Sequence, residues 1–206
     1  MGTKLTPQPN QTVLLFGGSF DPPHRGHILL PIQAQAAINA DHLAYIPVAN
    51  QPHKKKQTPA SHRLAMLKIA LTDQPNSHIL ELELQRKGPS YTVETLRQLK
   101  TVWGNSVTLR LLIGADQLAN FDHWKDWQQI LTLAQPLVMQ RQGQMPLTLP
   151  AGFNQTDWEK KIVQVDRMDI SSTDLRSKLS QGKSIDASLI DPKVMQYIRE
   201  HALYQG

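Results

Sequence analysis

Residues 13–27 read VLLFGGSFDPPHRGH, an order of residue types that is typical of a strand, a tight loop and the start of a helix. Four apolar residues run directly into Gly17 and Gly18, and adjacent glycines let a backbone approach a ligand closely. Pro22 and Pro23 suit the first positions of a helix, where a missing N–H costs nothing. Because a helix amino terminus carries unpaired N–H groups, it favours phosphate. We therefore interpret this stretch as a nucleotide phosphate site.

His24 and His27 end this stretch and lie three residues apart, so that both project from the same side of the first helical turn. The glycine pair alone is weak evidence, since it matches neither the GxGxxG fingerprint nor a Walker loop, for which GK[ST] would have to follow. Two histidines on a helix can also be surface decoration. Their position after Asp-Pro-Pro favours a functional site.

The composition limits the class of protein. With 206 residues, 40% of them hydrophobic, the chain can form one well-packed domain, which we expect over residues 12–206 after a flexible leader at 1–11. The absence of cysteine excludes disulfides, thiol catalysis and cysteine zinc sites, and the eight histidines never form HExxH.

Charge and hydropathy indicate the partners and the compartment. A net charge of +5 favours anionic partners, either phosphorylated small molecules or nucleic acid. No apolar run approaches the ~20 residues that span a bilayer, and the first residues lack the apolar centre of a signal peptide. We therefore expect a cytoplasmic protein that has no membrane partner.

Strand-like and helix-like patterns alternate along the chain. The patterns predict strands at 13–16, 43–48, 79–84, 107–113, 137–140 and 161–165, and helices at 24–40, 59–71, 90–103, about 122–133, 171–181 and 191–201. Gly and Pro residues indicate an irregular loop at 142–154. Six strands separated by helices predict an α/β fold, with a mostly parallel sheet covered by helices on both faces.

Clusters of polar residues follow each predicted strand. In chain order they read GGSFDPPHRGH, ANQPHKKK, QRKGPSYT, GAD, RQG and DRMDISSTDLR. Ligands of such sheets bind outside the carboxyl ends of the strands, so the clusters predict one shared pocket. In the last cluster, a serine three residues before an acid can be an ordinary helix cap, and Arg176 a solvated charge. The same residues can also form a cradle for polyphosphate.

GGSFDPPHRGH and ISSTDLR together resemble the (H/T)xGH and ISSTxxR motifs of the nucleotidyltransferase superfamily, which adenylylates or cytidylylates small phosphorylated acceptors. Further clusters resemble bacterial nicotinate-nucleotide adenylyltransferases over about residues 13–204: QPHK at 51–54, GPSYT at 88–92, GAD at 114–116, Phe121 with Trp124 and Trp127, RQG at 141–143, and the tail LIDPKVMQYIREHALY. The chain departs from the usual pattern at Ser19, Pro23 and Gln142. The resemblance implies a single-domain, Rossmann-like fold.

The resemblance implies transfer of the adenylyl group of ATP to nicotinate mononucleotide, giving nicotinate adenine dinucleotide and pyrophosphate, in NAD biosynthesis. The acceptor phosphate is already anionic, so positioning and charge neutralisation suffice. His27 assisted by His24 would act at the α-phosphate, and Arg176 at the leaving phosphates. The implied ATP-binding residues are Gly17, Gly18, Ser19, Phe20, His27, Gly114, Asp116, Ile170, Ser172, Thr173 and Arg176. Mg²⁺ would bind mainly through the ATP phosphates and would need no metal site on the protein.

The residues that the resemblance implies for nicotinate mononucleotide are His53, Lys54, Ser90, Tyr91, Thr92, Asp116, Trp124, Lys125 and Arg141. Trp124 would stack on the positively charged pyridinium ring. Tyr91, Thr92 and the backbone around Trp124 and Lys125 would meet the ring carboxylate, while His53, Lys54 and Arg141 would lie near the acceptor phosphate.

Structural explanations compete for several of these residues. Trp124 and Trp127, expected on one helix, fit core packing, which we prefer for Trp127. Asp116 fits a helix cap, and Lys55 and Lys56 fit a solvated loop.

Two alternative functions remain open from the sequence. A sister enzyme of the same superfamily would act on nicotinamide mononucleotide, phosphopantetheine or glycerol phosphate, which SYT and the Trp124 cluster disfavour. A nucleic-acid-binding module would fit the basic charge, but no helix carries a continuous basic stripe with interleaved aromatic residues. The expected partners are thus ATP and nicotinate mononucleotide, without nucleic acid, and a homo-oligomer stays open.

Overall fold

The six strands of this computed structural model form one sheet, in the order β3-β2-β1-β4-β5-β6. The structure describes residues 5–49, 57–143 and 147–205. The strands are β1 (Thr12–Gly18), β2 (His42–Pro47), β3 (Ser77–Ile79), β4 (Thr108–Gly114), β5 (Gln135–Arg141) and β6 (Ile162–Val165). Every neighbouring pair is parallel, which confirms the predicted sheet.

Helices cover both faces of the sheet, as predicted. They are α1 (Arg25–Ala37), α2 (Ala60–Ala70), α3 (Thr92–Trp103), α4 (Ala115–Leu118), α5 (Trp127–Leu133), α6 (Gln155–Glu159), α7 (Ser172–Ser180) and α8 (Pro192–Glu200), with a 3₁₀ turn at Phe121–His123. Side chains alternate along β1, so Val13 and Leu15 pack towards α3, α4 and α5, while Leu14 packs towards α1 and α2. All three are fully buried.

The strand order reverses at β1, and this fixes where a ligand can bind. The chain leaves β1 towards β2 and β3 on one side, whereas β4, β5 and β6 extend the sheet on the other. The connections therefore diverge at the carboxyl ends of β1 and β4 and leave a crevice there. Gly17 and Gly18 form the end of β1 at this crevice.

A third core cluster brings the end of the chain back to the beginning. Met66 of α2, Leu175 of α7, and Val194 and Ile198 of α8 are all buried together. Since α7 follows β6 at the far edge of the sheet, this packing carries the ISSTDLR segment back over the loop that follows β1.

Two predicted elements are wrong in their placement. The sequence predicts a strand at 79–84, but β3 ends at Ile79 and residues 82–85 form a turn. The alternation of ILELEL does not mark a strand here, since Leu80 and the polar Glu83 are both buried, whereas Leu82 packs against the core only in part. The sequence also predicts one helix at about 122–133, but the extended backbone of Trp124 and the left-handed conformation of Asp126 separate the 3₁₀ turn from α5. Trp124 and Trp127 therefore do not share a helix face.

The start of α1 and the leader also differ from the predictions. Pro22 and Pro23 precede the helix, which begins at Arg25 with His24 as its N-cap. The described part of the predicted leader, residues 5–11, packs against the domain, since Leu5 is buried in the core and Asn10 N–H donates to the Ser106 carbonyl oxygen. Within the described residues, no helix has the length and apolar character to cross a membrane.

Candidate functional site

A cavity of about 480 Å³ opens at the carboxyl ends of β1 and β4. It lies at the reversal of strand order, where an α/β sheet binds its ligands. The residues predicted from the sequence that line it are Gly17, Gly18, Ser90, Tyr91, Thr92, Asp116, Trp124 and Lys125. The structure thus brings together residues from β1, α3, α4 and the segment after the 3₁₀ turn.

The amino terminus of α3 lies at this cavity, which Tyr91 and Thr92 line. Tyr91 is the N-cap and makes no side-chain cap hydrogen bond, while its carbonyl oxygen accepts from the N–H groups of Glu94 and Thr95. In the described part of the chain, the N–H groups of Thr92 and Val93 have no hydrogen-bond acceptor. Together with the helix dipole, these amides favour an anionic group in the cavity.

A cation and two aromatic rings form the outer wall. Lys125 Nζ lies 4.4 Å above the centre of the Tyr91 ring and 2.7 Å from Glu94 Oε1. Trp124 is half-buried and tilts against Phe121, with their ring centres 5.2 Å apart. Trp127 packs on Phe121 and Phe153 and does not line the cavity.

The two glycines at the end of β1 lack side chains for different reasons. A Cβ on Gly18 would lie 2.9 Å from Cζ of Phe20, whose ring is fully buried. A Cβ on Gly17 would meet only the Ile46 carbonyl oxygen, at 4.0 Å. The fold itself therefore requires glycine at position 18 but has room for a side chain at position 17, which is exposed at the cavity.

The two histidines lie together at the start of α1, as the spacing predicts. Their rings stack with centres 3.7 Å apart, and the edge of the Phe20 ring meets His27. The backbone N–H of His24 donates to Nδ1 of the His27 ring, at 3.3 Å. The proton of a neutral His27 ring is therefore on Nε2. His24 is buried, whereas His27 is half-buried.

Burial, and secondly the positive charge of Arg141, lower the pKa of His24 to about 4, although a backbone hydrogen bond opposes this. His24 is therefore uncharged near neutral pH. The structure brings Arg141, at the end of β5, near this histidine rather than into the cavity wall.

The start of α7 is bonded directly to the loop after β1. Ser171 caps α7 by accepting from Asp174 N–H, so the ordinary capping explanation holds for this serine. Ser172 Oγ donates to the Pro22 carbonyl oxygen at 2.9 Å, and the Arg176 guanidinium donates to that of Asp21 at 2.7 Å. Arg176 is therefore not a solvated charge, and the starts of α1 and α7 lie side by side.

Arg63 of α2 binds the same loop from the protein interior. It is 1% exposed and donates to three carbonyl oxygens, those of Ser19, Ala49 and Thr58. Burial lowers the pKa of Arg63, and the negative charge of Asp21 opposes this shift. Since neighbouring carbonyls share one rigid guanidinium, the end of β1 and the segment after β2 are fixed relative to each other.

Asp21 joins the loop to the last residues of the chain. Its Oδ2 accepts from the N–H of Thr58 at 3.3 Å, and its Oδ1 accepts from the hydroxyl of Tyr204 at 2.6 Å. Burial and this hydrogen bond raise the pKa of Tyr204, so that it stays a donor.

The remaining predicted residues fall into three groups. Asp116 lies in the first turn of α4 and folds back over Gly114, where a Cβ would collide with its Oδ1. Ile170 is buried against Gly26, and Thr173 Oγ1 accepts from Arg176. His53 and Lys54 lie outside the described residues.

Arg63, Glu83 and Tyr204 belong to this region but were not predicted from the sequence as site residues. Arg63 could have been found, because it shares the buried side of α2 with Met66 and Leu67, three and four residues later. Glu83 lines the cavity but belongs to the pattern that mimics a strand. No local signal distinguishes Tyr204.

Comparisons with known proteins agree with this geometry. The cytidylyltransferase-like family matches residues 15–178. A protein of Roseiflexus sp. (strain RS-1), described as a probable nicotinate-nucleotide adenylyltransferase, is 38% identical over 196 residues, which cover 93% of this chain and 96% of its own. A protein of Leptospira interrogans with the same description is 36% identical over 200 residues, 95% of this chain and 98% of its own.

Solved structures with the same fold include that of Plasmodium falciparum nicotinic acid mononucleotide adenylyltransferase complexed with NaAD, with a TM-score of 0.74, 18% identity and coverage of 94% of this chain and 97% of that chain. The same enzyme complexed with APC gives a TM-score of 0.73 at 17% identity, with the same coverage. The sequence relatives and the family match extend over most of the chain, and they show that it belongs to the cytidylyltransferase-like nucleotidyltransferases and, among these, to the nicotinate-nucleotide adenylyltransferase family.

Proposed function

We propose that this chain transfers the adenylyl group of ATP to the phosphate of nicotinate mononucleotide, giving nicotinate adenine dinucleotide and pyrophosphate. The observation that carries the proposal is the direct bonding of two helix starts, through Ser172 to Pro22 and through Arg176 to Asp21. Two positive helix ends beside one glycine loop suit a ligand with several phosphates. The cavity next to them provides the place for a second substrate.

The residues offer positioning and charge rather than a nucleophile. His27, with the proton on Nε2, would donate to the α-phosphate and stabilise the charge that develops there. His24 would support the His27 ring by stacking, because it is uncharged near neutral pH. Thr173 and Arg176 would hold the β- and γ-phosphates as pyrophosphate leaves. The acceptor phosphate attacks without a base, because it is already an anion.

Recognition of the acceptor would occur in the cavity. The amides of Thr92 and Val93 and the charge of Lys125 favour an acid group on the ring. A site built to donate to a carboxylate leaves these donors poorly paired when the neutral amide binds. Trp124 would then stack on the pyridinium ring, which favours an aromatic face.

Mg²⁺ is the proposed metal, bound mainly through the phosphates of ATP. Within the described residues, no group of three or more His, Cys, Asp or Glu side chains could hold an ion. Both oxygens of Asp21, the carboxylate in the loop after β1, accept hydrogen bonds from the protein. This donor set fits an ion whose ligands come from the nucleotide. When bound, it neutralises charge on the leaving phosphates.

The proposed compartment is the cytoplasm.

The function is tested by release of pyrophosphate from ATP and Mg²⁺ with each acceptor in turn. Nicotinate mononucleotide is expected to give at least about a hundredfold higher kcat/KM than nicotinamide mononucleotide, because the amide leaves the donors at the start of α3 unpaired. Phosphopantetheine and glycerol phosphate serve as controls and are expected to give no release above background. Higher activity with any of these three would overturn the proposal.

His27→Ala is expected to lower kcat by about 10²–10³, because it removes a donor to the charge on the α-phosphate. Its melting temperature should fall by only a few degrees, since the variant loses the hydrogen bond from His24 and the ring stacking but no fully buried group. His42→Ala is the matched control, because His42 begins β2 at the opposite end of the sheet, and its kcat should stay within about twofold. Near-normal turnover of His27→Ala would remove His27 from the reaction.

Trp124→Ala is expected to raise the KM for nicotinate mononucleotide about tenfold and to leave the KM for ATP unchanged, because stacking on the charged ring is lost. Trp127→Ala is the control, since Trp127 packs on Phe121 and Phe153 away from the cavity. It should lower the melting temperature instead. An unchanged acceptor KM in Trp124→Ala would contradict the stacking role.

Gly17→Ala and Gly18→Ala separate a ligand requirement from a requirement of the fold. Gly17→Ala is expected to keep the melting temperature but to raise the KM for ATP about tenfold, because the methyl group would occupy ligand space. Gly18→Ala is expected to lower the melting temperature, because the Cβ would press on the buried Phe20 ring. Equal behaviour of both variants, in differential scanning fluorimetry and in the pyrophosphate assay, would contradict this distinction.

A further inference from the structure

A buried carboxyl group, that of Glu83, lines the cavity and has no role in the reaction described above. Glu83 lies in the turn after β3 and is 5% exposed. Its Oε1 accepts from the hydroxyl of Thr95 at 2.8 Å. Its Oε2 is buried, and among the described residues it has no hydrogen-bond partner.

This carboxyl group is unfavourable for the fold alone. Burial raises the pKa of Glu83; the hydroxyls of Thr95 and Ser90 and the charge of Arg86 oppose this in part, and the charge of Glu94 adds the smallest effect, which raises it. A buried polar atom without a partner costs free energy, and in a native protein it calls for an explanation such as a ligand. The cavity suggests that explanation.

The neighbours of Glu83 are the residues that begin α3. The Thr95 hydroxyl accepts a hydrogen bond from Arg86 at 3.3 Å and donates one to Glu83. Ser90 Oγ accepts from the N–H of Ala49 at 3.1 Å, which leaves its hydroxyl proton for another acceptor. The Ser90 hydroxyl lies near enough to lower the pKa of Glu83, while Oε2 of Glu83 has no hydrogen-bond partner among the described residues. The carboxyl group of Glu83 thus lies beside the hydroxyls of Ser90 and Thr95, which flank Tyr91 and Thr92 in the sequence.

We propose that Glu83 is a positioning residue of the acceptor site. Its carboxyl group accepts a hydrogen bond from the hydroxyl of Thr95 and, once the acceptor is bound, a second one from the hydroxyl of Ser90. These two bonds fix the direction of the amides at the start of α3, which meet the acid group of the acceptor. The inference rests on the proposed function, because it concerns the same substrate. It assigns to Glu83 control of acceptor affinity, without contact with ATP.

Glu83→Gln tests the inference with little change of shape. The amide keeps one oxygen for Thr95 but cannot accept from Ser90, so the KM for nicotinate mononucleotide is expected to rise about tenfold. The KM for ATP and kcat should stay within about twofold to threefold, since the phosphate site is untouched. The melting temperature at pH 8 should be equal or higher, because the variant removes a buried group whose ionisation is unfavourable in the fold.

Glu81→Gln is the matched control. Glu81 lies two residues away, pairs with Lys68 at 2.9 Å and does not line the cavity. Both KM values of this variant should stay within about twofold of the parent.

A second pair of variants tests the same contact from the other side. Thr95→Val removes the hydroxyl and is expected to raise the acceptor KM as Glu83→Gln does, whereas Thr95→Ser keeps it and should restore the affinity. An acceptor KM within twofold of the parent in Glu83→Gln, or equal effects of Thr95→Val and Thr95→Ser, would overturn the inference. If the parent enzyme itself releases no pyrophosphate with nicotinate mononucleotide, the proposed function fails instead.

Discussion

The bonding of α7 to the loop after β1 is the contact on which the site depends. Ser172 and Arg176 donate to two successive carbonyl oxygens, those of Pro22 and Asp21. In the sheet, β6 is an edge strand and is separated from the central β1 by β4 and β5. The packing of α7 on α2 and α8 brings the second motif back across that distance. The sheet alone would provide a glycine loop and a cavity, but only one of the two helix starts.

Arg63 has the corresponding role on the inner side of the loop. A single guanidinium satisfies three carbonyl oxygens and lies near Asp21, so its charge is compensated without direct solvent contact. The planar fork of arginine is suited to this, because several N–H groups are held in fixed directions. The loop therefore combines apolar support from Phe20 with polar support from Arg63, and its outer side remains open to a ligand.

The sequence predicts the architecture well because the strands carry their own pattern. The apolar runs at β1, β4 and β5 and the polar clusters after them indicate both the sheet and its functional edge. The sequence misplaces β3 because the alternation in ILELEL continues past Ile79 into a turn, where Leu80 and the polar Glu83 are both buried. It also joins Trp124 to Trp127 on one helix, because the left-handed backbone at Asp126 carries no glycine or proline that would indicate a break. Glu83 and Tyr204 could not be predicted, since their significance lies in contacts with residues that are distant in the sequence or in an unexpected turn.

The contacts of Asp21 also bear on the order in which the protein can fold. Its carbonyl oxygen is paired with a residue 155 positions later, and its carboxylate with one 183 positions later. A ribosome releases the amino-terminal strands first, and contacts between residues so far apart form late. During synthesis, β1, α1 and β2 can therefore assemble while the loop between them still lacks two of its supports. The supports that Arg176 and Tyr204 give to this loop are thus added after most of the sheet already exists.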